Sequence, residues 1–163
     1  MNRLKLAVVS FGFLGCSPFA PGTFGTLGGV LIAWLLAGTR WFPLWILVAC
    51  VVLYAVSQPL GKWAECYAGR KDPGIFVVDE VIGYLITIAW ARGPSLLALV
   101  FAFFVFRFFD IVKPPPARRM ERIPGGHGIL LDDVVAGAWA FLVVMLPARL
   151  LLERLQWTVV GGA

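Results

Sequence analysis

Gly74-Ile-Phe-Val-Val-Asp-Glu-Val-Ile-Gly-Tyr-Leu-Ile-Thr-Ile-Ala-Trp-Ala91 decides how this chain is read. As a helix, 18 residues cover about 27 Å, close to the roughly 30 Å hydrocarbon core of a bilayer. Two adjacent carboxylates, Asp79 and Glu80, interrupt the apolar run. A carboxylate at membrane depth costs several kcal/mol unless it is paired or coordinated, so intramembrane acids mark functional sites by default.

Four more apolar stretches flank this one, at 24–38, 44–60, 95–112 and 129–152. The whole chain has 163 residues, 60% apolar and 14% charged, with a mean hydropathy of +0.87. A soluble domain would be near 45–50% apolar and about 25% charged. The expectation is therefore an all-α, polytopic membrane helix bundle of about four to five spans. The segment 24–38 covers only about 22 Å, which makes it re-entrant, tilted or interfacial. With no linker, repeat or low-complexity run, residues 1–163 read as a single integral-membrane domain.

The basic residues give an orientation. With the N-terminus inside, Arg3, Lys5, Lys62, Arg70, Lys71, Lys113, Arg118, Arg119 and Arg122 face inward, and Arg40, Arg92, Arg149 and Arg154 face outward. That asymmetry predicts N-in, C-out. Trp34, Trp41, Trp45, Trp63, Trp90, Trp139 and Trp157 fall mostly near span ends, as interfacial aromatics do. The net charge of +5 is accounted for in the same way and does not call for nucleic acid as a partner. Cys16, Cys50 and Cys66 lack the paired spacing of a zinc site or the density of a disulfide scaffold and read as small apolar fillers. Arg3 and Lys5 before an apolar run resemble a signal peptide, but Phe13 stands where a small residue would precede cleavage at Cys16. The segment is expected to be retained.

Five of the nine acids, Asp79, Glu80, Asp110, Asp132 and Asp133, lie within apolar stretches, and apart from Arg149 at the outer end of the last stretch only one base, Arg107, lies there with them. Under the N-in topology all five fall within about two helical turns of the inner face. Such a collection repels itself without a cation, and clustered carboxylate oxygens suit a hard divalent ion such as Mg²⁺. Asp79, Gly83 and Thr87 share one helix face, and Asp133, Ala136, Gly137 and Ala140 another. Small residues on these stripes let two acid-bearing helices approach closely.

Two irregular segments complete the inner face. Residues 17–26, Ser-Pro-Phe-Ala-Pro-Gly-Thr-Phe-Gly-Thr, offer hydroxyls and free N–H groups for an anion, or form a plain surface turn. In 113–122 the prolines end a helix and cations follow, which serves either orientation or phosphate recognition. Arg107 stands three residues before Asp110, so it either pairs with that carboxylate or grips a phosphate. His127, the one histidine, lies in a glycine-rich loop as a possible acid or base.

These residues resemble the phosphatidylglycerophosphatase A family. The matching stretches are 17–26, Val78-Asp-Glu-Val-Ile-Gly83, Phe106-Arg-Phe-Phe-Asp-Ile-Val-Lys-Pro-Pro-Pro116 and Gly128-Ile-Leu-Leu-Asp-Asp-Val-Val-Ala-Gly137, in order over about residues 17–140. The resemblance implies a Mg²⁺-dependent phosphatase of the bacterial inner membrane, multi-pass, with its site facing the cytoplasm. Its substrate would be phosphatidylglycerophosphate, hydrolysed to phosphatidylglycerol and phosphate in phospholipid synthesis, with no obligate protein partner. Asp79, Glu80, Asp132 and Asp133 would hold the metal. Asp110 would be a further ligand or the general base, and Arg107, Lys113, Arg118, Ser17 and Thr23 would meet the phosphate. Water attack and an aspartyl-phosphate both remain open.

Two other classes fit the residues less well. A small proton- or cation-coupled transporter also uses buried acids, but it would carry them near the bilayer midplane. A phosphatidyl-alcohol transferase would have a denser run of aspartates.

Overall fold

The computed structural model describes residues 2–89 and 93–151. Trp90, Ala91, Arg92, Leu152, Arg154 and Trp157, all used in the reading above, lie outside the described residues. Every element among the described residues is helical: α1 (Asn2–Val9), α2 (Pro21–Leu36), α3 (Phe42–Ser57), α4 (Gly61–Ala68), α5 (Val78–Thr87), α6 (Leu96–Val112), α7 (Ala117–Met120), α8 (Gly126–Trp139) and α9 (Leu146–Leu151). The all-α expectation holds. Among the described residues two helices are long and apolar enough to cross a membrane, Phe42–Ala68 and Gly126–Leu151.

The first of these joins α3 to α4. Pro59 cannot donate a backbone N–H, and the chain tightens to a 3₁₀ turn over Gln58–Leu60 rather than breaking. The helix ends where Gly69 adopts φ +67°, a left-handed C-terminal cap. The second joins α8 to α9 through a π-helical turn at Ala140–Met145. α6 begins cleanly at Ser95, whose hydroxyl accepts from the Ala98 N–H at 3.2 Å.

The stretch quoted at the outset differs most from expectation. Only its central ten residues form α5, about 15 Å long. It is not a lipid-facing span. Val78, Val81, Ile82, Tyr84 and Leu85 are all at most 1% exposed, and α5 packs against α2, α3, α6 and α8. Its hydropathy reflects enclosure by protein. The 16 residues of α2 and 17 of α6 likewise cover only about 24–26 Å, short of the full hydrocarbon core.

The expected small-residue stripes form the central seam. A Cβ at Gly83 would stand 2.8 Å from the Asp133 carbonyl oxygen, and one at Gly137 would stand 3.0 Å from the Gly83 carbonyl carbon. Thr87 Oγ1 donates to the Gly83 carbonyl at 2.9 Å within this seam. The α5 and α8 backbones therefore touch, which brings their acids together.

The N-terminal segment is part of the same body. Val9 is fully buried, and its carbonyl accepts from Val77 N–H at 2.9 Å, just before α5. The molecule is apolar on the outside as well as within: Leu31, Leu35, Leu47, Val51, Leu96, Leu97, Phe104, Phe108 and Ile111 all stay exposed. In water each would forgo roughly 2 kcal/mol of burial.

Candidate active site

The N-terminus of α5 is the centre of the site. Asp79 and Glu80 sit in its first turn, where the helix dipole and unpaired N–H groups favour negative charge. The Glu80 N–H donates to Asp79 Oδ1 at 3.0 Å. Asp133, about two turns into α8, meets them across the glycine seam. One oxygen from each of Asp79, Glu80 and Asp133 lies within 4.8 Å of the others. Asp79 and Asp133 are only 6% and 3% exposed.

Three ionised carboxylates at that spacing repel by about 3 kcal/mol per pair at an effective dielectric of 20. Arg107 supplies one nearby countercharge, but its Nη1 is engaged by Asp110 Oδ2 at 2.7 Å. Glu80 Oε2 is buried with no hydrogen-bond partner. An all-oxygen donor set with an orphaned buried oxygen fits a hard divalent cation.

The first turn of α2 closes the other side. The prolines and glycines of 17–26 suggest a loop ahead of the first span, whereas the helix already starts at Pro21. Proline at the first helical position has its φ preset and no N–H to lose. The next residue, Gly22, lies against Glu80 and Arg107: a Cβ there would meet the Glu80 carboxylate and stand 3.0 Å from Arg107 Nη1, so a larger residue would displace those side-chain ends. Thr23 follows on the same turn. Ser17 is turned toward its own loop, donating to the Phe19 carbonyl at 2.9 Å.

Lys113 and Asp132 make a second charged group beside the first. Lys113 Nζ donates to Asp132 Oδ2 at 2.6 Å and to Glu121 Oε1 at 2.5 Å. The Asp132 oxygens are not among the three that converge, and its Oδ1 is buried without a partner. Burial draws the Lys113 pKa down, but the bonds to Asp132 and Glu121 outweigh it and raise the pKa above the ordinary 10.5. A raised lysine pKa adds stability that is fully present below 10.5 and lost only as pH rises through the still higher folded value. The Lys113 ammonium therefore stays charged across the physiological range.

Removing the ammonium has a clear expected cost. Lys113→Met leaves Asp132, whose side chain is 4% exposed, as an uncompensated buried charge and should destabilise the protein by about 3 kcal/mol. Glu121→Gln removes a 42% exposed partner and should cost under about 1 kcal/mol. Thermal unfolding midpoints of the two variants in one detergent check the contrast.

Arg118 donates from Nη2 to the Val112 carbonyl at 3.0 Å. His127 is exposed, with Nδ1 2.7 Å from the Tyr54 hydroxyl. Sequence reasoning missed Asp72 and Glu121, two of the four acids outside the apolar stretches. Only the spacing of Glu121 eight residues after Lys113, and of Asp72 just ahead of Asp79, hinted at them. It also missed Gly22, whose role depends on a contact between distant segments.

The sequence model of phosphatidylglycerophosphatase A matches residues 7–148. The chain belongs to the phosphatidylglycerophosphatase A family. A Haemophilus influenzae phosphatidylglycerophosphatase A is 34% identical over 145 residues, covering 88% of each chain. The Escherichia coli K12 phosphatidylglycerophosphatase A is 34% identical over 142 residues, covering 83% of this chain and 78% of the relative. A Bacteroides thetaiotaomicron protein with the provisional name phosphatidylinositol-3-phosphatase is 38% identical over 139 residues, covering 80% of this chain and 84% of its own. No solved structure matches at a significant level. Membership in the phosphatidylglycerophosphatase A family makes the chain a phosphoric monoester hydrolase and decides against the transporter. The match also extends ten residues upstream of Ser17, where α1 and its following turn pack against the approach to α5.

Proposed function

We propose that this chain is a multi-pass enzyme of the bacterial inner membrane that hydrolyses phosphatidylglycerophosphate to phosphatidylglycerol and phosphate, dependent on Mg²⁺, with its site at the cytoplasmic face. The observation that carries the reading is the convergence of Asp79, Glu80 and Asp133 within 4.8 Å beside Arg107 and the first turn of α2. The apolar exterior and two full-length apolar helices support a bilayer setting. In that setting α2 and α6 would add short crossings over a locally thinned bilayer, for about four, with α5 enclosed among them. The N-in orientation follows from the excess of inner Lys and Arg.

Asp79, Glu80 and Asp133 would hold the metal, with Asp132 next to them fixed by Lys113. Mg²⁺, when bound, neutralises phosphate charge and lowers the pKa of water. Arg107, aligned by its 2.7 Å ion pair with Asp110, grips equatorial phosphate oxygens as the phosphoryl group loosens from its leaving oxygen. The N–H groups at the start of α2 add donors on the same side. Asp110 accepts the proton of the attacking water. The new bond joins that water oxygen to phosphorus, the phosphorus–oxygen bond to glycerol breaks, and the glycerol oxygen takes up a proton from solvent water, to which Asp110 returns the one it accepted.

Phosphate release by purified protein, compared on phosphatidylglycerophosphate and phosphatidylinositol 3-phosphate in matched micelles, tests the substrate. The reading expects the first to be preferred by at least tenfold in kcat/KM. Equal rates or the reverse preference would replace the substrate while leaving the site intact.

A further inference from the structure

Beside the carboxylates lies a cavity of about 480 Å³ whose lining includes Lys71, Asp72, Arg118, Glu121, Arg122 and Gly128. It brings together three cations and two acids, and one acid is already neutralised: Glu121 binds Lys113, which also holds Asp132. Lys71 Nζ donates to the Glu121 backbone carbonyl, tying the loop before α5 to the loop after α7. Arg118 braces the end of α6. The first turn of α8 forms another wall, so the positive end of a 14-residue helix faces the same space.

The cavity neighbours the active site through Glu121 on its wall, which shares Lys113 with Asp132. Asp72 lines it and interacts electrostatically with Lys113, Glu121 and Asp110, while Asp79 and Asp132 in turn feel Asp72. One lysine separates Glu121 on the cavity wall from Asp132, and Asp132 adjoins the carboxylate Asp133. A ligand with one phosphate at the triad would therefore extend its next group into this basic space.

We propose that this cavity binds the phosphodiester and glycerol of the lipid headgroup while the terminal phosphomonoester lies at Arg107 and the carboxylate triad, so that the substrate is recognised at two anionic groups. This rests on the substrate reading above. The mixed lining suits such a ligand: Lys71 and Arg122 meet the diester oxygens, and the Asp72 carboxylate accepts from the glycerol hydroxyl. A phosphomonoester lipid without a headgroup diester would leave the cations unused, which gives the enzyme its means of discrimination.

Arg122 is exposed, so replacing it leaves the fold intact, and Arg119 in the same short segment is exposed without lining the cavity. In micelles of phosphatidylglycerophosphate, Arg122→Gln should raise KM at least fivefold and keep kcat within twofold. It should weaken competitive inhibition by phosphatidylglycerol, which keeps the diester and glycerol, by a similar factor. Lys71→Gln repeats the test at a second lining cation. Arg119→Gln, the same change of charge, should alter neither quantity more than twofold. If Arg119→Gln and Arg122→Gln raise KM alike, the effect is bulk attraction and the subsite is wrong; an unchanged KM in Arg122→Gln also overturns it. Wild-type protein inactive on phosphatidylglycerophosphate would instead remove the substrate reading and this proposal together.

Discussion

Asp133→Asn should reduce phosphate release at least 10³-fold while the protein still folds, elutes and unfolds like the wild type. The side chain is 3% exposed, and the amide is nearly the same size, so no cavity opens. What changes is charge. One of three converging oxygen donors becomes neutral, and the site loses both affinity for a divalent ion and the negative field that holds it. Relieving like-charge repulsion of about 3 kcal/mol per pair should make the metal-free variant more stable than the metal-free wild type. Opposite signs for activity and stability distinguish a functional carboxylate from a structural one. Activity within tenfold of wild type, or a lower unfolding midpoint without metal, would mean that Asp133 is part of the packing alone. Asp79→Asn carries the same expectation.

Gly137→Val should lose the folded protein, and Gly137→Ala should lower its stability by about 1–3 kcal/mol. Alanine gains close to 1 kcal/mol over glycine in a helix interior, so in open space the substitution would stabilise. Here the new Cβ would stand 3.0 and 3.1 Å from the carbonyl carbon and Cα of Gly83, with the Gly83 carbonyl oxygen closer still. Backbone cannot rotate aside as a side chain can. Relief requires α5 and α8 to separate, which pulls Asp133 away from Asp79 and Glu80 and costs activity as well. Gly38, where an added methyl would find nothing within 4 Å, supplies the control: Gly38→Ala should be neutral. Unfolding midpoints in detergent measure both, and a neutral Gly137→Ala would mean that the seam is loose.

The seam and its acids were legible in the sequence because both are periodic. Gly83 and Thr87 follow Asp79 at four-residue steps, and Ala136, Gly137 and Ala140 follow Asp133, so a helix of either stretch puts small residues and acid on one side. Hydropathy alone misjudged α5, since an apolar run has the same composition whether protein or lipid surrounds it. The early start of α2 was legible at Pro21 but was masked by the prolines and glycines around it. The pairing of Lys113 with Asp132, the approach of Gly22 to Glu80 and the cavity holding Asp72 join residues far apart in the chain. No local pattern encodes their distance. The continuation of α3 through Pro59 likewise depends on a 3₁₀ turn that spacing does not reveal.

The central claim is that the carboxylates converging at the α5–α8 seam form a Mg²⁺ site that hydrolyses the lipid phosphomonoester. Its most direct test is phosphate release from phosphatidylglycerophosphate by purified protein stripped with EDTA and titrated with Mg²⁺. Release should fall to background in EDTA, return saturably with Mg²⁺, and fail to return at any Mg²⁺ concentration in Asp133→Asn. Full release in EDTA would contradict the claim.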